Sequence, residues 1–145
     1  MDELAQLVGE RVRAARRERG LSVGALAGAL GVPLATLITD QPGARVTAPG
    51  VVARLLDVSR GGGQTVEVYR LSLEPGVHYR SPAHGPGVVE HLLVTAGRAR
   101  AGRPGEESEI GPGQAAQWVS DGPHSYAALG PGPLESVLVI RSPGR

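Results

Sequence analysis

Ala83-His84-Gly85-Pro86-Gly87-Val88-Val89-Glu90-His91-Leu92-Leu93-Val94-Thr95-Ala96-Gly97 sets a histidine on a Gly/Pro-rich bend, a carboxylate at the mouth of an apolar strand and a glycine at its end. Strand side chains alternate between faces, so a Glu90 that points inward takes Leu92 and Val94 with it and turns His91 and Leu93 away. A second segment repeats the grammar: Gly111-Pro112-Gly113, an apolar strand through Trp118, then Gly122-Pro123-His124-Ser125-Tyr126. There His124 shares its face with Tyr126. Two short strands, each delivering an imidazole beside a glycine turn, can converge on one pocket.

Around these segments the period is two. Val66 and Val68 alternate with Glu67, and Tyr69, Leu71 and Leu73 alternate with Arg70 and Ser72, before Glu74-Pro75-Gly76 turns the chain. Glu90–Val94, Ala115–Val119, Ser125–Leu129 and Ser136–Ile140 read as further strands, with turns at Pro104-Gly105, Gly111-Pro112-Gly113 and Gly130-Pro131-Gly132. Short strands with Gly/Pro corners describe a mainly β chain folded as an antiparallel sandwich or barrel. With no Phe and one Trp, its core must be mostly aliphatic. The 22 glycines and 12 prolines in 145 residues would suit disorder if they ran in tracts, but they fall between apolar segments and act as punctuation.

Composition excludes several function classes. A net charge of +1 gives no global field for nucleic acid or membrane, so any basic feature must be local. The absence of cysteine removes disulfides and thiolate metal sites. Met1-Asp2-Glu3-Leu4 lacks the cationic start of a signal peptide, and no apolar run approaches membrane-spanning length. The expectation is a cytoplasmic protein with no membrane partner.

Residues 3–19 read as a helix, with Leu4, Leu7, Val8, Val12 and Ala15 on one stripe and Gly20 placed to end it. Arg11, Arg13, Arg16, Arg17 and Arg19 crowd its C-terminal half, where cations suit the helix dipole. The plain reading of that run is a solvated face; the sharper one is a phosphate-facing patch. Ser22 caps a second helix carrying Val23, Leu26, Ala27 and Leu30 up to Gly31. The string from Val8 through Ser22, followed by Ala25-Leu26-Ala27, resembles the opening of the XRE (Cro/repressor-like) helix-turn-helix domain. That resemblance implies DNA contacts from Arg13, Arg16, Arg17, Ser22 and Thr36.

Gly31–Asp40 threads onto that family in two ways. Without a gap it is the recognition helix, but it offers only Thr36 and Thr39 as polar readers among Leu34, Ala35, Leu37 and Ile38. Alternatively, Ala29–Leu34 with Leu37–Asp40 resembles the last helix of such a domain, so the recognition helix and its successor are missing. The second threading is preferred, because so apolar a helix suits burial better than a groove. Residues 40–50 read as a linker, Val51–Asp57 is ambiguous between strand and short helix, and Gly61-Gly62-Gly63 is a loop, since no Lys follows to make it a phosphate cradle.

Two imidazoles and a carboxylate are a common ligand set for divalent metals, so His84, Glu90 and His124 are the candidates for chemistry. His84-x5-Glu90-x6-Gly97, then Gly111-x-Gly113 and Pro123-His124, resemble the two motifs of the cupin barrel, over about Val66 to Ile140. The resemblance implies a jelly-roll-like barrel in which His84, Glu90 and His124 are metal ligands for Zn, Fe, Mn or Ni. Pro86 stands where the family has a second histidine, Gln114 where an Asp often follows the glycine turn, and Ala128 where an Asn closes the second motif. Leu92, Trp118 and Tyr126 are then expected to line the pocket, with His78 and His91 as surface or turn residues.

Helix-turn-helix proteins fused to cupins form a family of bacterial regulators, and the order here is theirs. The expected layout is a helical helix-turn-helix-like segment at 1–41, a linker and lead-in strand at 42–64 and the barrel at 65–143. The expected function is a DNA-binding regulator, not an enzyme, whose barrel senses a small-molecule effector or metal and forms a homodimer. With three ligands left, either a metal sits there with an open position or the site is vestigial and the pocket takes an organic ligand or nothing. The alternatives are a small metal-dependent cupin enzyme (a dioxygenase, isomerase or epimerase) whose helical tail only packs, and a cupin-fold protein with no competent site.

Overall fold

The computed structural model describes residues 42–144, together with Arg11 and Ala14, which are helical and exposed. The helix-turn-helix expectation, with Arg13, Arg16, Arg17, Ser22 and Thr36, lies outside the described residues. From residue 42 onward the chain is strands and turns: β1 (Arg45–Ala48), β2 (Val51–Gly61), β3 (Gln64–Leu73), β4 (His78–Ser81), β5 (Val89–Ala96), β6 (Arg98–Gly102), β7 (Ser108–Ile110), β8 (Ala115–Val119), β9 (His124–Leu129) and β10 (Leu134–Pro143).

These strands form two antiparallel sheets, one in the order β1-β2-β3-β10-β5-β8 and one in the order β4-β9-β6-β7. After β3 the chain crosses between them at every connection except the Pro104-Gly105 corner, which joins β6 to β7 within the small sheet. This is a mainly β, jelly-roll-like barrel: strand spacing left sandwich and barrel open, and the cupin resemblance implied the barrel. The stretch expected as linker and lead-in strand supplies β1 and β2, and β2 pairs with β3 along its whole length.

The core lies between the sheets and is aliphatic apart from Tyr69, Trp118 and Tyr126; Leu55, Leu92, Val94 and Leu134 are fully buried. Removing such a side chain from water contributes about 1.5–3 kcal/mol each. In β5 the alternation holds: Glu90, Leu92 and Val94 are buried while Leu93 is 41% exposed. In β3 the buried face is Thr65, Glu67, Tyr69, Leu71 and Leu73, so Val66 and Val68 take the outer face instead. The outer face of the large sheet is tied by Arg70 and Ser72 of β3, which donate to the Glu135 carboxylate of β10 at 3.1 and 2.7 Å.

Gly97 closes β5 with φ +78, and a Cβ there would lie 2.3 Å from the Pro133 carbonyl oxygen. Only glycine allows both the left-handed turn and the close approach of the chain entering β10.

Candidate metal centre

His84, Glu90 and His124 come from different parts of the barrel. Glu90 is on β5 in the large sheet, and His124 opens β9 in the small one, with its Cα partner Ser81 on β4. His84 lies on the loop between β4 and β5, where Gly85 and Gly87 have φ of +121 and +75. Two backbone bonds fasten that loop to the connection after β8: the His84 N–H donates to the Ser120 carbonyl at 2.9 Å, and the Ser120 N–H donates to the Val88 carbonyl at 2.8 Å. The bend first seen in the sequence is therefore pinned to the segment that delivers the second histidine.

The three side chains offer one ligand atom each, and these atoms lie within 4.8 Å of one another. His124 Nε2 is 2.7 Å from Glu90 Oε2, and His84 Nε2 is 3.6 Å from the same oxygen. The histidine rings stand 5.0 Å apart between centroids. Glu90 is fully buried and His124 is 2% exposed.

The support around the ligands fixes their orientation. Tyr126 donates its hydroxyl hydrogen to Glu90 Oε1. His124 Nδ1 is 3.0 Å from the Gly122 carbonyl and donates to it, since a carbonyl can only accept. In a neutral imidazole this leaves Nε2 as a bare lone pair directed at the site. Trp118, the Cα partner of Glu90, packs its ring 6.2 Å from His124 and 5.8 Å from Tyr126. Its indole N–H is buried without an acceptor among the described residues.

Glu90 Oε2 and His124 Nε2 are close enough for a charge-assisted bond but are not aligned as one, and neither has another hydrogen-bond partner. Either a proton on His124 Nε2 or a shared metal ion would balance the Glu90 charge at this contact. Ligand bonds of about 2.0–2.2 Å put tetrahedral ligand atoms roughly 3.4 Å apart, inside the span these three atoms already cover. The cluster could hold a metal ion.

The electrostatics of the three groups are coupled. Burial lowers the His84 pKa; the Glu90 carboxylate opposes that and His124 adds to it. Burial would raise Glu90, but its contact with His124, the charge of both histidines and the Tyr126 bond outweigh it and hold the carboxyl below its ordinary value. Burial would lower His124, but Glu90 and the Gly122 carbonyl outweigh it and raise it. Tyr126 is raised well above a normal phenol by burial and then by the Glu90 charge. Glu90 therefore stays ionised, with His124 as its counter-charge where no metal ion is bound.

The other expected positions divide. Tyr126 lines a cavity of about 60 Å³ that opens beside His84, with Tyr79 and Ser81 as its neighbours. Leu92 is wholly in the core, and Trp118 backs the cluster instead of lining that cavity. Pro86 is exposed on the loop, His78 is exposed on β4, and Gln114 caps its own turn by accepting from the Gly111 N–H at 2.8 Å. Sequence reasoning missed Tyr79, Ser81 and the Glu67–Tyr69 pair, in which the Tyr69 hydroxyl donates to Glu67 Oε1 at 2.9 Å. Glu67, Ile140, Glu90 and Trp118 are successive cross-strand partners, so two buried carboxylates share one interior row.

No family model matches the chain, and no curated protein does either. Solved structures do. The Cupin_2 domain of an XRE family transcriptional regulator from Enterobacter cloacae superposes with TM-score 0.57 at 25% identity, covering 63% of this chain and 95% of that one. The barrel has the cupin fold. An HTH_3 family transcriptional regulator from Vibrio cholerae matches with TM-score 0.63 at 19% identity over 93% of this chain and 94% of its own. Ectoine synthase from P. lautus matches with TM-score 0.52 at 18% identity over 74% of each chain. The fold is thus shared with transcriptional regulators and with an enzyme, and the barrel is similar to the cupin domain of one XRE family regulator.

Proposed function

We propose that this chain is a transcriptional regulator whose cupin barrel senses a small molecule through a divalent metal held on His84, Glu90 and His124. The observation that carries the reading is the likeness of the barrel to the cupin domain of the Enterobacter regulator across nearly all of that domain. The interior of this barrel holds a converging His-Glu-His set with a cavity at its side. Zn, Fe, Mn and Ni all suit two imidazoles and a carboxylate.

A divalent ion bound there would supply a Lewis-acidic position open to an oxygen of the effector. The chain's own groups do the rest. His84 and His124 donate their Nε2 lone pairs, and Glu90 balances charge inside a dry interior. Tyr126 holds the Glu90 carboxylate in place, and the Gly122 carbonyl keeps the proton of His124 on Nδ1. The loop carrying His84 joins the two sheets, so an effector seated against it acts on the connection between them.

In this reading the helical segment contacts DNA through Arg13, Arg16, Arg17, Ser22 and Thr36, and the chain acts as a cytoplasmic homodimer on two half-sites. Titration of a labelled mixed-sequence duplex at two salt concentrations tests it. Binding that weakens steeply with salt is expected; absence of any such binding contradicts direct DNA recognition.

A metal-dependent cupin enzyme is the second reading, favoured by the same three-ligand set, which leaves coordination positions open beside the cavity. It requires turnover that disappears in His84→Ala and His124→Ala chains. A metal-loaded chain that binds an effector without converting it sides with the regulator.

A further inference from the structure

The cavity beside His84 has two unlike ends. One is polar: His84, Ser81, Tyr79 and Tyr126 meet there, and the Tyr126 proton is already committed to Glu90. The other is mainly aliphatic: Val46 and Ala48 of β1, Val51 and Ala53 of β2, and Leu71 of β3 line it, with Thr47 of β1 as the polar residue on that side. Among the described residues that line it, none is Arg, Asp, Glu, Asn or Gln. Its roughly 60 Å³, set against about 10–15 Å³ for one water, leaves room for about four to six heavy atoms of a tail whose head group lies outside it, beside Glu90 and His124.

We infer that the cavity takes a small monofunctional molecule, with one oxygen-bearing head group at the metal and a short branched aliphatic tail against the β1–β3 end. This rests on the proposed metal centre, which anchors the head. A second charged group at the tail end would lose its water and find no counter-ion among the lining residues, only the Thr47 hydroxyl. Dicarboxylates and phosphorylated sugars are therefore rejected, while the aliphatic tail gains by burial. Side chains as small as Ala48 and Ala53 set the length of that tail.

Isovalerate and succinate separate the outcomes, because they share a carboxylate head and differ at the far end. Both are titrated into the full chain loaded with Zn²⁺, with the fluorescence of the single tryptophan, Trp118, and calorimetry as readouts. Isovalerate is expected to bind at least tenfold more tightly than succinate. Ala53→Leu, which fills the tail end, is expected to weaken isovalerate at least tenfold while Zn²⁺ affinity changes less than twofold. Val46→Phe on the edge strand β1 repeats the test where added bulk is more easily absorbed by the fold. Equal or tighter succinate binding, no isovalerate binding to the zinc-loaded chain, or indifference to both substitutions overturns the ligand class and leaves the metal centre standing. Failure to take up Zn²⁺, or any other of the four metals, overturns the centre and the ligand class with it.

Discussion

Glu90 Oε2 and His124 Nε2 face each other at 2.7 Å across the two sheets, both buried, without the alignment of a hydrogen bond. One belongs to β5 and the other to β9, so the contact links the two layers of the barrel at its most apolar depth. The centre is as much a cross-sheet fastening as a ligand set, and the substitutions below separate those roles.

Tyr126→Phe removes the hydroxyl that donates to Glu90 Oε1 and leaves the ring packing against Trp118 and Tyr79. Metal affinity should fall about 10–100-fold, as for other groups that orient a ligand from outside, with stability lowered by about 1 kcal/mol. Calorimetric metal titration and urea unfolding measure the two effects. Unchanged metal affinity would show that Glu90 needs no orienting partner.

Gln114→Ala deletes the side-chain oxygen that accepts from the Gly111 N–H in the turn before β8. Stability should drop by about 0.5–1.5 kcal/mol while metal uptake stays at the wild-type value. A loss of metal would give Gln114 a part in the centre that its position in the turn does not suggest.

Leu92 and Leu93 are neighbours in sequence and opposites in space, fully buried and 41% exposed respectively. Leu92→Ala should cost about 2–5 kcal/mol by emptying the core, and Leu93→Ala no more than about 0.5 kcal/mol. Similar losses from both in urea denaturation would mean the alternation of β5 is misassigned.

Gly97→Ala places a methyl against the Pro133 carbonyl and forces a left-handed φ on an alanine. The expected loss exceeds about 1 kcal/mol, read from the urea midpoint. Gly105→Ala, also at positive φ but with open space around it, should cost less.

How much of this was legible in the sequence depended on how loudly each strand alternates. β5 and β8 were legible because each carries an apolar run bracketed by glycine turns, with Glu90 at the mouth of the first. β6, Arg98-Ala99-Arg100-Ala101-Gly102, was not, since its inward residues are alanines too small to announce a buried face. β1 hid in a Gly/Pro-rich stretch. β2 looked ambiguous because a register shift between Leu55 and Asp57 puts Leu56 and Asp57 both outside and breaks the period of two.

Glu67 misled the reading of β3 for a related reason. A carboxylate between two valines reads as the solvent side, yet here Glu67 is buried with Tyr69 as its donor and the valines face out. The cue was the phase of Tyr69, Leu71 and Leu73, which share odd positions with Glu67, and the Tyr69 hydroxyl serves the buried carboxylate. In the centre itself the three ligands were named from spacing and family likeness. Tyr79 and Ser81 were missed because β4 is four residues long and carries no alternating apolar pattern.

The central claim is that His84, Glu90 and His124 form one metal site, and calorimetric titration of the chelator-stripped chain with Zn²⁺, Mn²⁺, Ni²⁺ and Fe²⁺ tests it most directly. At least one of these ions should bind at one per chain, and His124→Ala and His84→Ala should each abolish that uptake while the barrel still unfolds cooperatively. No saturable uptake of any of the four ions, or uptake that persists in both variants, would contradict the account.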